Sequence, residues 1–376
     1  MAEPPAARQT RHMTTIELHE TDRADALVER LFGATIGALE LFSVYLGAEL
    51  GLYRALEAHG PLTAPQLAER AGIDARYARE WLEQQAVAGL LEAEAQDRSA
   101  DARRFALPAD HARVLAHPDD AAHLAPMAHM IAGIGGVLPR LADAYRTGAG
   151  VPYAAYGAEF RHGQGHINRP AFLEDLPGAW LDALPDVRDR LRRDGGRVAD
   201  VGCGQGFATV AMAAAFPLAE VVGFDADAAS VQDARAFASE HGVQERAAFV
   251  CDDAVAVADH GPFHLVLVLE TLHDLARPVE ALAAARAALA EGGVVLVVDE
   301  RVGDTFAAPG DETERMMYGW SVTHCLPTAR VEAGSAATGT VMRTGTLREY
   351  AAAAGLSSVE VLPVENDLFR LYRLSA

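Results

Sequence analysis

Apolar positions recur at helical spacing from about Ala24 to Ala58, and the stretch Leu31 to Leu50 is the most apolar in the chain. Glu40 sits in the middle of that stretch. A membrane span tolerates such a charge only at a cost of about 2.5 kcal/mol or more, so the pattern predicts a buried helix. The polar, Pro- and Ala-containing residues 1 to about 23 predict a disordered tail. A turn at His59-Gly60-Pro61 precedes Thr63, which caps a helix over Ala64 to Arg70. Gly72 ends that helix, and Asp74 caps a second one running to about Ala88. A strand beginning at Leu90, a polar loop and a strand at Arg104 to Leu107 follow. Helices followed by a two-stranded ribbon predict a winged helix-turn-helix. Residues 116–180 are helical but rich in breakers, as a connector that covers a site would be.

From Gly196 the texture changes to short β-rich runs alternating with Ala-rich helices, which predicts an α/β domain with a parallel sheet. Strands are expected near 197–201, 220–224, 248–251, 264–269, 294–299, 359–363 and 368–373. The chain thus divides into a tail (1–23), a winged-helix domain (24–115), a connector or lid (116–180) and a ligand-binding α/β domain (181–376).

The first of these strands ends in Asp200-Val-Gly-Cys-Gly-Gln-Gly206 and opens onto a helix. Glycines at 202, 204 and 206 let a ligand approach the backbone, since no Cβ intervenes. Asp225 ends the second strand, where a carboxylate can accept both hydroxyls of a ribose. Asp253 ends the third and can accept from an adenine amino group, while the backbone amide of Ala254 meets a ring nitrogen. The spacing is G-x-G-x-G rather than the G-x-G-x-x-G of dinucleotide binders, and an acidic residue precedes it. A carboxylate there disfavours a pyrophosphate and suits a cationic amino acid. Asp200 therefore points to the methionine part of S-adenosylmethionine.

The formal charge of −21, with 32 basic against 53 acidic residues, argues against nucleic acid and anionic membranes as partners. Every basic residue is Arg. Three cysteines without a CxxC pair fit a reducing, cytoplasmic setting, and the first residues lack the apolar core of a signal peptide. No HExxH spacing is present, and no metal is expected.

On residues 197–300 the sequence resembles the class I S-adenosylmethionine-dependent methyltransferases. From about residue 25 onward it looks like small-molecule O-methyltransferases with an N-terminal winged helix used for dimerisation. The resemblance implies a seven-stranded sheet with the last strand antiparallel, a homodimer, a small-molecule substrate and S-adenosylhomocysteine as product. It also implies that His273, in the pair His273-Asp274 after the fourth strand, is a general base; Glu270 beside it belongs to the cofactor site. An imidazole suits the role because its pKa lies near neutrality. An acid after the fifth strand would orient the ring, Glu300 in preference to Asp299, with Glu312 or Glu314 as a second acid. Met316, Trp320 and His324 share one helical face and are candidates for an aromatic-accepting substrate pocket, opposite Tyr153, Tyr156, His162, Gln164 and Asn168. Two alternatives remain. The winged helix could bind DNA, although the segment is itself acidic. The cofactor could also act only as a bound positive charge in non-methyl-transfer chemistry.

Overall fold

The computed structural model describes residues 23–94 and 99–376; the expected tail lies outside the described residues apart from Arg23. Helix α1 (Arg23–Glu49) is followed by α2 (Leu52–His59), α3 (Ala64–Ala71), α4 (Ala75–Val87), strands β1 (Glu92–Glu94) and β2 (Arg104–Ala106), and α5 (Ala109–Leu115). The caps read from the sequence are made. Thr63 and Gln66 form a reciprocal capping box, and Asp74 accepts from the amides of Arg76 and Tyr77. β1 and β2 pair antiparallel as the wing.

The helix expected over Ala24 to Ala58 is not continuous. It breaks at Leu50-Gly51, where Gly51 takes a left-handed φ of 66°. The expected burial of Leu31 to Leu50 does not hold within one chain either. Only Val44 and Gly47 of α1 are buried, and Phe32 and Leu39 are 68% and 61% exposed. The reason is that only the C-terminal part of α1 has a surface to pack on, the core built by Tyr53, Leu56, Trp81 and Leu82. Among the described residues α1 is also the one helix long and apolar enough to cross a membrane by length and composition.

The connector contains α6 (Pro126–Thr147), α7 (Gly157–Pro170) and a π-helical stretch from Ala171 to Trp180 that is kinked at Gly178. The α/β domain then adds α8 (Pro185–Arg193), β3 (Gly196–Val201), α9 (Phe207–Ala215), β4 (Ala219–Asp225), α10 (Ala228–Glu240), β5 (Ala247–Cys251) and β6 (Phe263–Leu269). It closes with α11 (Pro278–Ala287), β7 (Leu289–Glu300), α12 (Glu312–Trp320), α13 (Leu326–Ala329), α14 (Thr344–Ala353), β8 (Ser358–Val361) and β9 (Phe369–Ser375). All seven expected strands form one sheet in the order β5-β4-β3-β6-β7-β9-β8. β3 to β7 are parallel, and β9 runs antiparallel between β7 and β8. Continuous apolar runs such as Leu265 to Leu269 suit strands covered on both faces. One face packs on α8, α9 and α10, the other on α11 and α14. The strand order reverses at β3, so a crevice opens at the carboxyl ends of β3, β4 and β6, where such sheets bind ligands.

Candidate active site

A cavity of about 560 Å³ opens at these strand ends, and α7 supplies part of its wall. The turn after β3 forms its floor. Gly202, Gly204 and Gly206 all take left-handed φ values, 76°, 50° and 79°. A Cβ on Gly202 would come within 2.3 Å of Thr271, so this position admits only glycine. Gly202 and Gly204 line the cavity; Gly206 sits behind, against Ala234 and Phe249.

Asp225 also lines the cavity. Its Oδ2 accepts from the Gly204 amide and its Oδ1 from the Asp227 amide, both at 2.8 Å. The carboxylate therefore shapes the glycine turn from the next strand. Burial raises its pKa, against the two amides, which lower it. Asp253 and Ala254 stand further along the wall. Asp253 Oδ1 caps the turn at Val255, and Oδ2 accepts from Arg277 at 3.0 Å. Asp200 departs from expectation. It is buried beneath the turn, off the cavity wall, and accepts from Thr209 Oγ1 at 2.6 Å. Its side chain faces α9 rather than the ligand space, and burial pushes its carboxyl up to about 6.

A buried polar cluster closes the inner end. Glu270 lines the cavity, is the non-glycine residue there with a left-handed φ (52°), and has a buried Oε1 without a partner. Burial first, and then Glu300 and Asp299, raise its carboxyl well above the usual range. Burial likewise pushes Glu300 up to about 7. Two neighbouring buried carboxyls resist ionising together in such a site.

His273 is buried behind this pair. Its Nδ1 lies 3.0 Å from Asp299 Oδ1 and its Nε2 3.5 Å from Asp274 Oδ1. Burial works against the charged ring, but Asp299 and Asp274 outweigh it and hold the imidazole pKa well above 6.5. The sequence preference for Glu300 as the orienting acid is thus corrected to Asp299. β7 alternates its side chains, and Glu300 turns to Glu270 while its amide donates to Asp299 Oδ1 at 3.0 Å. Glu314 instead pairs with Arg343 at 2.9 Å, and Glu312 is exposed, so neither reaches the ring. His273 itself does not line the cavity; Asp274 does, and stands between the ring and the ligand space.

Of the expected substrate residues, Tyr153, Gln164 and Asn168 line the cavity, and Tyr153 donates to Gln164 at 2.9 Å. Tyr156 does not; its hydroxyl donates to the Thr323 carbonyl. His162 lies off the wall too. Met316, Trp320 and His324 do not form one face. Ser321–Cys325 is a π-helical turn, which breaks the expected i, i+4, i+8 spacing. Met316 lines a separate surface depression with Arg30 and Phe306, and Trp320 packs against the α6–α7 core. His324 is buried and stacked on Phe160 at 4.1 Å, and burial pushes its pKa down to about 4.

Sequence reasoning missed Arg161, Gln205 and Arg277 on the cavity wall, since each reaches it from a different element. It also missed that His273, Asp274 and Cys325 bring ligand-type atoms within 4.8 Å, because the fold rather than local spacing joins them.

Residues 192–346 match the family described as a methyltransferase domain, and residues 37–117 match the Rv2258c-like winged HTH domain. No curated protein sequence matches. Among solved structures, the chain is similar to an O-methyltransferase family protein from Burkholderia thailandensis (16% identity, 93% of this chain and 97% of that one, TM-score 0.65). It is similar to the mitomycin 7-O-methyltransferase MmcR (20%, 94% and 98%, 0.62). It is also similar to human N-acetylserotonin methyltransferase, solved in complex with SAM (17%, 95% and 99%, 0.62). Residues 192–346 are thus a methyltransferase domain and residues 37–117 a winged helix-turn-helix domain, and the whole chain shares its fold with these methyltransferases.

Proposed function

We propose that the chain transfers a methyl group from S-adenosylmethionine to a hydroxyl of a small molecule of secondary metabolism, leaving S-adenosylhomocysteine. The observation that carries this reading is a single cavity that joins the glycine turn and Asp225 at one end to Glu270 and Asp274 at the other. The residues fit such a cofactor. The left-handed glycines leave a cradle, Asp225 faces the ribose position, Asp253 and Ala254 face the adenine position, and Glu270 has an unpartnered oxygen for a cationic group. The cofactor supplies an electrophilic methyl carbon on a sulfonium. Two of the similar structures are a mitomycin 7-O-methyltransferase and an N-acetylserotonin methyltransferase, which favours the same chemistry here.

In this reading α7 and Tyr153 hold the acceptor against the turn, and proximity supplies much of the rate. His273 takes the hydroxyl proton, with Asp299 fixing its Nδ1 and Asp274 passing the proton from the cavity wall. Asp200 acts only from beneath, by fixing the turn through Thr209. The exposed apolar residues Phe32, Leu39, Phe42 and Leu46 of α1 meet a second copy of the chain, giving a homodimer in the cytoplasm. The winged helix serves this assembly rather than DNA. Arg76 of α4 pairs with Glu80 and Arg79 with Asp101, so neither is free for phosphate.

The test is turnover of the purified chain with S-adenosylmethionine and a panel of aromatic and polyketide-like hydroxyl compounds. Formation of S-adenosylhomocysteine in step with a product 14 mass units heavier supports the reading. A product formed without S-adenosylhomocysteine would instead mean that the cofactor serves as a charge alone.

A further inference from the structure

Three helices from two parts of the chain converge behind the cavity wall. Glu49 is the last residue of α1, His129 lies on α6 and Glu159 on α7. Their ligand-type atoms all lie within 4.8 Å of one another, and His129 Nδ1 is 3.2 Å from Glu159 Oε2. Two carboxylates have been brought together with one imidazole, and among the described residues no Arg pairs with either carboxylate. The nearest arginine on α7, Arg161, is instead turned to Asp233 at 3.5 Å. Without a cation this arrangement leaves two carboxylates, one exposed and one partly buried, facing each other beside the imidazole.

The imidazole is already fixed in place. His129 is buried, with the Tyr45 ring edge-on at 5.0 Å on one side and the His162 ring at 4.9 Å on the other. His162 lies one turn beyond Glu159 on α7. We propose that Glu49, His129 and Glu159 form a site for a divalent transition-metal cation. The imidazole nitrogen is a borderline donor, and beside two carboxylate oxygens it favours Zn²⁺ and its neighbours over Mg²⁺ or Ca²⁺, which take oxygen ligands.

The site's position gives it a consequence for the cavity. In helical projection Glu159, His162 and His166 share one face of α7, while Arg161, Gln164 and Asn168, which line the cavity, share the opposite face. A cation bound at the back of α7 ties this cavity wall to α1, and through it to the winged-helix domain. The inference stands apart from the methyl-transfer reading, since binding needs neither acceptor nor cofactor.

The experiment uses the full-length chain without an affinity tag, stripped by a chelator and titrated calorimetrically with Zn²⁺. One equivalent is expected to bind, with Mg²⁺ unable to displace it. Glu49→Gln and Glu159→Gln should each weaken binding at least tenfold. Glu49 is exposed, so its substitution leaves the fold intact, as circular dichroism will verify. Cys325→Ser should leave the affinity unchanged. Absence of Zn²⁺ binding to the wild type overturns the proposal. So does Zn²⁺ binding of undiminished affinity in both glutamine variants, which would move the cation to His273, Asp274 and Cys325.

Discussion

Asp299 is hydrogen-bonded to the His273 ring and Asp274 lies 3.5 Å from its other nitrogen, and this makes the site's pH behaviour specific. The ring must be neutral to accept a proton, and its pKa lies above 6.5. kcat should therefore rise with pH through a value above 6.5. In Asp299→Asn the limb should move to lower pH, because the charge that favours the imidazolium is gone. A pH–rate profile of the two proteins, each saturated with cofactor and acceptor, checks this. His273→Ala should lower kcat by about 10²–10⁴-fold with cofactor affinity nearly intact; a loss under about tenfold removes His273 from the mechanism. Asp225→Ala should weaken S-adenosylmethionine binding by about 2 kcal/mol or more in calorimetry, since two amide contacts that shape the turn go with the ribose contact.

At the scale of elements, what the sequence showed and what it hid divide by range. Local signals held: Thr63 and Asp74 cap their helices, the glycines at 202, 204 and 206 are all left-handed, and every expected strand is present. Each of these depends on a few neighbouring residues. What failed depended on register or on distant partners. The choice between Asp299 and Glu300 turns on one step of strand alternation, and the π-turn at Ser321–Cys325 moves Met316 and His324 to different sides. The break at Gly51 has a packing counterpart that no periodicity could reveal. α1 crosses the helices after it at Gly47, where a Cβ would lie 2.5 Å from the Tyr53 ring and 2.6 Å from Trp81. Trp81 is held there by its indole N–H, which donates to the Ser43 carbonyl at 2.9 Å. Gly47→Ala should therefore destabilise the chain by about 1–3 kcal/mol, as overpacked contacts do. Denaturant midpoints of the two proteins would show it, and equal midpoints would mean that the crossing yields freely.

Over the whole molecule, a column of rings runs from the winged-helix domain into the α/β domain: Tyr45, His129, His162, His166 and Phe207, with successive centroids 3.9 to 5.2 Å apart. Burial pushes the His166 pKa down to about 3. The unfolded chain takes up a proton near pH 6.5 that the folded chain refuses, so stability falls as pH drops below that value. The loss from this one residue is about 2 kcal/mol by pH 5. His166→Gln should shrink the wild type's loss of stability between pH 7 and 5, measured by denaturant unfolding. Deleting residues 1–58 should give aggregated or unstable protein, because the core around Tyr53 and Leu56 goes with α1; a well-behaved monomer would contradict the proposed assembly. The sheet carries a different constraint, one of timing. β9 is the last of its strands to be synthesised, yet it lies inside, hydrogen-bonded to β7 on one side and β8 on the other. While a ribosome still shields Phe369–Ser375, β7 is left as an open edge and β8 has no neighbour to join. The nascent chain must wait with its sheet unfinished, exposing strand backbone to other chains until β9 emerges.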